Sequence, residues 1–265
     1  IPLIVDEAHG AHLVYIKKTT EKYVGSNLGM EFPVSALNFG ADIVVQSLHK
    51  TLPSLTQTAL CHLNSDIVDK EHMEESLHIF ETSSPSYIFM ASIDACIRYM
   101  NESDLMLRQY IKNLGEFRNR VGSFQHIHLW KFDSNLGYDF TKLVIYSDII
   151  DGITLAKILR ESYNIETEMS KLKFVLAYST VCDIKDDFER LYKALNDIDK
   201  NFSCIENESM VNLDRKYLNK IAEKNIYIYP PGVPVVKKGD IIDLDNFKLL
   251  EEYIKKGKRV YGLEP

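Results

Sequence analysis

The sequence predicts an α/β protein, and two observations carry that class. Two short, β-branched, almost continuous apolar runs, Ile1–Val5 and Asp42–Ser47, have the character of parallel strands buried on both faces. Between them Pro33–Gly40 reads as a short helix closed by a C-terminal glycine, which completes a strand, helix, strand unit.

Each element follows from a local signal. The first strand opens the chain at Ile1, without a methionine, and a buried strand needs neighbours on both sides. The sequence therefore reads as the C-terminal part of a longer protein. Tyr15 to Glu31, rich in Lys, Thr, Gly and Asn, is expected to be a polar surface excursion. Apolar positions recur at helical spacing from Ile67 to Leu77. The Thr82-Ser83-Ser84-Pro85-Ser86 run then breaks the chain before helices expected over Tyr87–Met100 and Asp104–Phe124. His126 to Trp130 alternates weakly and marks the passage into a second, α+β pattern. That pattern runs strand Thr141–Tyr146, helix Gly152–Tyr163, strand Ile165–Glu168, strand Phe174–Tyr178 and helix Ile184–Asp199. Beyond a polar joint near Asn207, a helix is expected over Lys216–Glu223. Ile226–Tyr229, the turn Pro230-Pro231-Gly232-Val233-Pro234 and a last strand follow. The expected division is 1–136, the C-terminal part of a large α/β domain; 137–205, a small α+β domain; and 206–265, a C-terminal module.

Composition narrows the function classes. With 38 acidic and 31 basic residues the net charge is -7, which points away from a protein that coats nucleic acid. The 45% hydrophobic and 26% charged content is that of an ordinary globular chain, and no apolar run approaches the ~20 residues of a membrane span. A soluble, cytoplasmic protein is the expectation. Cys61, Cys96, Cys182 and Cys204 lie far apart, a spacing that suits neither a disulfide framework nor a zinc site, so reduced thiols are expected.

The chemistry sits where the two strands end. Ligands of parallel sheets bind at the carboxyl ends of strands, and here those ends carry Asp6 to His9 and Ser47 to Lys50. A lysine preceded by Ser and His and placed opposite an acid is what pyridoxal phosphate chemistry requires. The lysine forms the imine with the cofactor, and the acid keeps the ring nitrogen protonated.

These residues and their order resemble the pyridoxal phosphate dependent ornithine/lysine/arginine decarboxylases, of the aspartate aminotransferase fold (fold type I). The resemblance rests on Val5-Asp6-Glu7-Ala8-His9-Gly10-Ala11-His12 and on the run from Gly40 to Gln57, with Gln46-Ser47-Leu48-His49-Lys50-Thr51 at its centre. It extends through Thr82–Tyr87, Ile165-Glu166-Thr167-Glu168 and Tyr229–Pro234. It implies a large fold-type-I domain, present in part, followed by the small domain and C-terminal module. It implies Lys50 as the lysine bonded to the cofactor, Asp6 as partner of the ring nitrogen, and Ser47 as a phosphate ligand. His49 would contact cofactor or substrate, Ala8 the ring face, and His9 the phenolic oxygen. The family's dimer implies Ser84 near the neighbouring subunit's phosphate, hence a homodimer or higher homo-oligomer. The implied reaction is decarboxylation of lysine, arginine or ornithine to a polyamine precursor, the three not being distinguished by any residue that could be placed. Two departures from the family pattern stand out: the length of the Tyr15–Glu31 excursion, and the absence of a Gly-Arg pair in Lys216–Ile221. The family's N-terminal half, with its phosphate loop and ring-stacking residue, has no counterpart in these residues, so this chain alone is expected to be inactive.

Other readings of the same residues are weaker. His9 and His12 beside Asp6 and Glu7 suggest a metal cluster, but no separated third ligand group accompanies them, and no metal is expected. Asp-Glu-Ala-His is also the string of a nucleotide-dependent helicase motif. That reading needs a phosphate loop, and Gly257-Lys258 is followed by Arg259 without the preceding glycine. A non-catalytic scaffold or regulatory relative is the remaining alternative, and the intact Asp6, His49 and Lys50 argue against it.

Overall fold

The first sheet has the order β1-β2-β3, formed by β1 (Ile4–Asp6), β2 (Ile43–Ser47) and β3 (Ala59–Leu63). The chain is described by a computed structural model over residues 1–24, 32–131, 137–201, 213–228, 234–256, 258 and 260–263. β1 and β2 run parallel with Asp6 beside Val45, so both carboxyl ends lie on one edge of the sheet. β3 returns antiparallel to β2, Ser47 facing Ala59. The sequence reading passed over β3, because Ala59-Leu60-Cys61-His62-Leu63 carries a histidine amid its apolar residues and neither face is fully buried.

The connection between β1 and β2 departs from the expected polar excursion. α1 (Leu13–Thr19) buries Leu13, Ile16 and Thr19 and packs on α4 (Asp104–Val121), then tightens into a wide turn over Thr20–Val24. Lysines on the outer side of α1 give the segment its polar composition, while Ile16 is fully buried. Residues 25–31 of that excursion lie outside the described residues. Pro33–Gly40 forms only one 3-10 turn, Ala36–Phe39. Ser35 caps it by accepting from Leu37 N at 3.3 Å, and Gly40 closes it in the left-handed conformation at φ 79°.

α2 (Lys70–His78) starts on Asp69, whose carboxylate accepts from His72 N at 3.0 Å, and buries none of its residues. α3 (Tyr87–Glu102) is capped by Ser86 and buries Cys96 and Met100. α4 shows the clearest helical period: Leu107, Tyr110, Ile111, Leu114, Phe117 and Val121 are all buried on one face. These residues belong to a unit made of Ile1–Ser123, Lys131–Lys142 and Ser179–Tyr192.

The second unit comprises Phe124–Trp130, Leu143–Tyr178 and Lys193–Pro265. Its larger sheet has the order β4-β5-β7-β6, from β4 (Ile127–Leu129), β5 (Lys142–Ser147), β6 (Met169–Ser170) and β7 (Val175–Tyr178). The strand expected over Ile165–Glu168 thus forms later, at Met169–Ser170. Asn164 ends the preceding helix in the left-handed region, and Glu168 is reached only by a single bond from its N–H to Leu176 O at 2.9 Å. α5 (Gly152–Tyr163) has the bounds its periodicity implies, because Asp151 fixes its start by accepting from Ile153 N and Thr154 N, each at 3.0 Å. α6 (Lys185–Asn201) follows β7.

The C-terminal residues of this unit make a smaller sheet, β10-β8-β9, from β8 (Ile226–Ile228), β9 (Pro234–Val236) and β10 (Val260–Tyr261), with α7 (Leu244–Lys255). Ile153 shares a core with Ile226, Val236, Ile242, Phe247 and Leu250. The helix expected over Lys216–Glu223 is absent: one 3-10 turn, Arg215–Tyr217, is capped by Asp214. Asn219 then turns left-handed at φ 60°, and Ile221 pairs with Ile241 in a β-bridge. The Tyr229-Pro230-Pro231-Gly232-Val233 stretch, the joint near Asn207 and Leu136 lie outside the described residues.

Candidate active site

Asp6 is the last residue of β1, and its side chain is exposed at the carboxyl edge of the sheet. One carboxylate oxygen, Oδ1, accepts from Ala8 N at 3.0 Å, which curls the chain into the turn carrying Ala8 and His9, both half-buried. Ser47 ends β2 two residues beyond the Asp6 register partner, and the next three residues, Leu48–Lys50, form a 3-10 turn. Leu48 is the buried residue of that turn, which leaves His49 half-buried and Lys50 exposed.

The hydrogen bonds say what each group can do. His49 Nδ1 lies 3.1 Å from Thr58 O. A carbonyl only accepts, so Nδ1 carries the proton, and a neutral His49 keeps Nε2 as an acceptor. Thr58 is held in turn: its one hydroxyl proton goes to Leu55 O at 2.7 Å, and Ser54 Oγ, 2.8 Å away, can donate to the Thr58 oxygen. Ser92 of α3 accepts from Leu55 N at 3.0 Å, fixing the loop after Lys50. Among the described residues Lys50 has no ion-pair or hydrogen-bond partner, and the Ser47 hydroxyl makes no capping bond. Both are available to a ligand.

Asp6, Ala8, His9, Ser47, His49 and Lys50 are therefore brought to one sheet edge. Ser84 lies in the exposed loop before α3, where its N–H donates to Thr82 Oγ1 at 3.4 Å. Nothing in the described chain carries it to that edge.

Several supporting residues escaped the sequence reading. His12, which a metal reading would pair with His9, is instead buried against Asp139, Nε2 standing 3.2 Å from Oδ2. Asp139 also accepts from Thr141 Oγ1 at 2.7 Å and pairs with Lys142 at 3.3 Å. The segment is further held by Tyr138, which donates to Lys142 O, and by Arg118, which donates to Phe140 O at 3.3 Å. Among the described residues no group of three His, Cys, Asp or Glu side chains could hold a metal ion. No described helix is long and apolar enough to cross a membrane.

Burial alone would raise the Asp139 carboxyl, but the His12 hydrogen bond and charge, the Lys142 ammonium and the Thr141 hydroxyl outweigh it and hold the carboxyl well below the usual carboxylate range. A carboxyl depressed in the folded state contributes stability above the unfolded value of about 3.9 and loses it as pH falls through the lower folded value. Melting temperatures of wild type and Asp139→Asn are therefore expected to differ most at neutral pH and to converge below about pH 4. A gap that persists unchanged in acid would show that Asp139 acts by shape alone.

A lysine and an acid at the carboxyl edge of parallel strands, with a hydroxyl and an imidazole on the same edge, form the arrangement expected from the fold-type-I resemblance. The model for the major domain of the Orn/Lys/Arg decarboxylases matches residues 1–143, and the chain belongs to that family. Among its relatives, the arginine decarboxylase of Bacillus subtilis (strain 168) is 30% identical over 297 residues, covering 100% of this chain and 58% of the relative. The arginine decarboxylase of Bacillus anthracis is 28% identical with the same coverage. The chain thus spans a little over half the length of these curated relatives. Among solved structures, the lysine decarboxylase of Francisella novicida shares the fold with a TM-score of 0.64 at 16% identity, covering 84% of this chain and 47% of that one. The constitutive lysine decarboxylase of E. coli gives 0.60 at 15% identity, covering 84% and 48%. Family membership implies pyridoxal phosphate as the cofactor class, and the donor set of amine, carboxylate, hydroxyl and imidazole at the sheet edge fits it.

Proposed function

We propose that the protein uses pyridoxal phosphate to decarboxylate a basic amino acid, lysine, arginine or ornithine, to the corresponding amine and carbon dioxide, a step toward polyamines. The observation that carries this reading is the parallel register that sets Asp6 and the Ser47–Lys50 turn on one edge of the sheet. The cofactor, when bound, supplies the electron sink that makes loss of the α-carboxylate feasible.

The chain's own residues then have distinct tasks. Lys50 would hold the cofactor covalently through Nζ and supply a proton donor for the substrate's α-carbon. Asp6, whose Oδ2 is left over from the bond that Oδ1 accepts from Ala8 N, would keep a proton on the ring nitrogen. Ser47 would bind phosphate, Ala8 would pack against the ring, and His9 would serve the phenolic oxygen. His49, its Nδ1 proton committed to Thr58 O, turns Nε2 toward cofactor or substrate. Ser84 serves the phosphate of a second subunit in a homodimer or higher homo-oligomer. The three-part division at 136 and 205 accompanies this reading, with the first part holding the cofactor, and the cytoplasm is its proposed location.

The test is a product assay of the full-length protein with arginine, lysine and ornithine, arginine first because the curated relatives bear its name. Release of carbon dioxide and one amine, dependent on pyridoxal phosphate, is expected. No product from any of the three, with the cofactor bound, would favour the scaffold reading instead.

A further inference from the structure

Between Asp6 and Ala8 stands Glu7, to which the roles above assign nothing. Its half-buried carboxylate takes three donors: Ser35 Oγ at 2.8 Å, Ala36 N at 2.8 Å, and Gln46 Nε2. A carboxylate only accepts, so Gln46 must present its amide nitrogen to Glu7 and its Oε1 to His62 Nε2, 3.1 Å away. His62 therefore donates through Nε2–H. One chain of hydrogen bonds crosses from the end of β1 through β2 to β3, and Gln46, its middle member, immediately precedes Ser47.

The backbone is shaped for this arrangement. Gly10 N donates to Glu7 O at 2.8 Å, and a Cβ at Gly10 would stand 2.3 Å from Glu7 Cγ. Only a residue without a side chain lets the turn close over the Glu7 stem. Gln46 is a buried amide in an otherwise apolar strand, and such a group is stabilising only when its hydrogen bonds are made.

We propose that Glu7 is a positioning residue that locks the Asp6–Ala8 turn and the Ser47–Lys50 turn into one geometry through Gln46. Its role toward the cofactor rests on the functional reading above. The lock itself is a property of the described chain.

The test compares full-length wild type with E7Q, Q46E and E7Q/Q46E. In E7Q the new amide offers one acceptor oxygen to three donors, and in Q46E two carboxylates are set against each other. In the double variant acid and amide exchange places: the amide at position 7 donates to the carboxylate at position 46, whose second oxygen accepts from His62. Each single variant is expected to bind pyridoxal phosphate about tenfold more weakly, the effect of one charge-assisted hydrogen bond, and the exchange to restore binding within about twofold. In cofactor-free protein, amide hydrogen exchange of residues 6–10 and 46–51 is expected to rise together in each single variant and to fall back in the double. If E7Q loosens residues 6–10 alone, or if the double variant shows the full sum of the single losses, the proposal is overturned. Should Q46E not fold, Gln46→Met replaces it. E7Q should then add little to the Q46M loss, and full additivity would count against the lock. If wild type binds no pyridoxal phosphate, the functional reading fails, while the exchange data still decide whether Glu7 couples the two turns.

Discussion

Borohydride reduction of the cofactor-loaded full-length protein is expected to leave a pyridoxyl group on Lys50 and on no other lysine, and Lys50→Ala is expected to abolish both the label and turnover. Lys50 ends a 3-10 turn whose middle is anchored by His49 on Thr58 O and whose first residue, Leu48, is buried, so its backbone is fixed at the sheet edge while its side chain stays exposed. No partner among the described residues competes for it. In the proposed role of covalent anchor and proton donor Lys50 would contribute twice, and positioned proton transfer alone is typically worth about 10²- to 10⁴-fold. Lys50→Arg keeps the positive charge but removes the nucleophile, because a guanidinium stays protonated. Residual activity in Lys50→Arg near that of wild type, or a label elsewhere, would remove Lys50 from the reaction.

The motifs around this lysine were legible because they combine chemistry with strand-end placement over a few residues. β2 and α5 were legible for a related reason: β2 is a compact β-branched run, and α5 has a clean period with Asp151 as its cap. What local pattern could not reveal depends on distant partners. Glu7 and Gln46 are 39 residues apart, and His12 and Asp139 are 127 apart. The polar look of the segment after Tyr15 concealed α1, because the burial that makes it a helix comes from α4. Lys216–Glu223 failed in the opposite direction: its helical composition gave way to the left-handed Asn219 and to the pairing of Ile221 with Ile241. One sequence signal for the Glu7 network did exist. A glutamine at the inward position of a strand, two residues from fully buried Val44, needs a polar partner, and the nearest carboxylate in register is that of the neighbouring β1 end.

Asp6→Asn is expected to leave the fold and cofactor attachment largely intact while lowering decarboxylation by about 10²- to 10⁴-fold, the range for one positioned proton. The substitution is nearly isosteric, and the asparagine carbonyl oxygen can still accept from Ala8 N, the one bond the Asp6 side chain makes among the described residues. The turn carrying Ala8 and His9, and with it the Glu7 lock, should therefore persist. Only the negative charge is lost. In the proposed role that charge keeps a proton on the ring nitrogen, and a neutral pyridine accepts the electrons of the departing carboxylate poorly. Because the proposed covalent attachment is through Lys50 and not through Asp6, the expected signature is a fall in kcat at nearly constant cofactor affinity, with borohydride labelling of Lys50 undiminished. Asp6→Glu separates charge from placement: it keeps the carboxylate but carries it one methylene further from β1, so partial activity should remain. Full turnover in Asp6→Asn would mean that the ring nitrogen is served by another group, and the shared strand edge of Asp6 and Lys50 would then lose its chemical meaning.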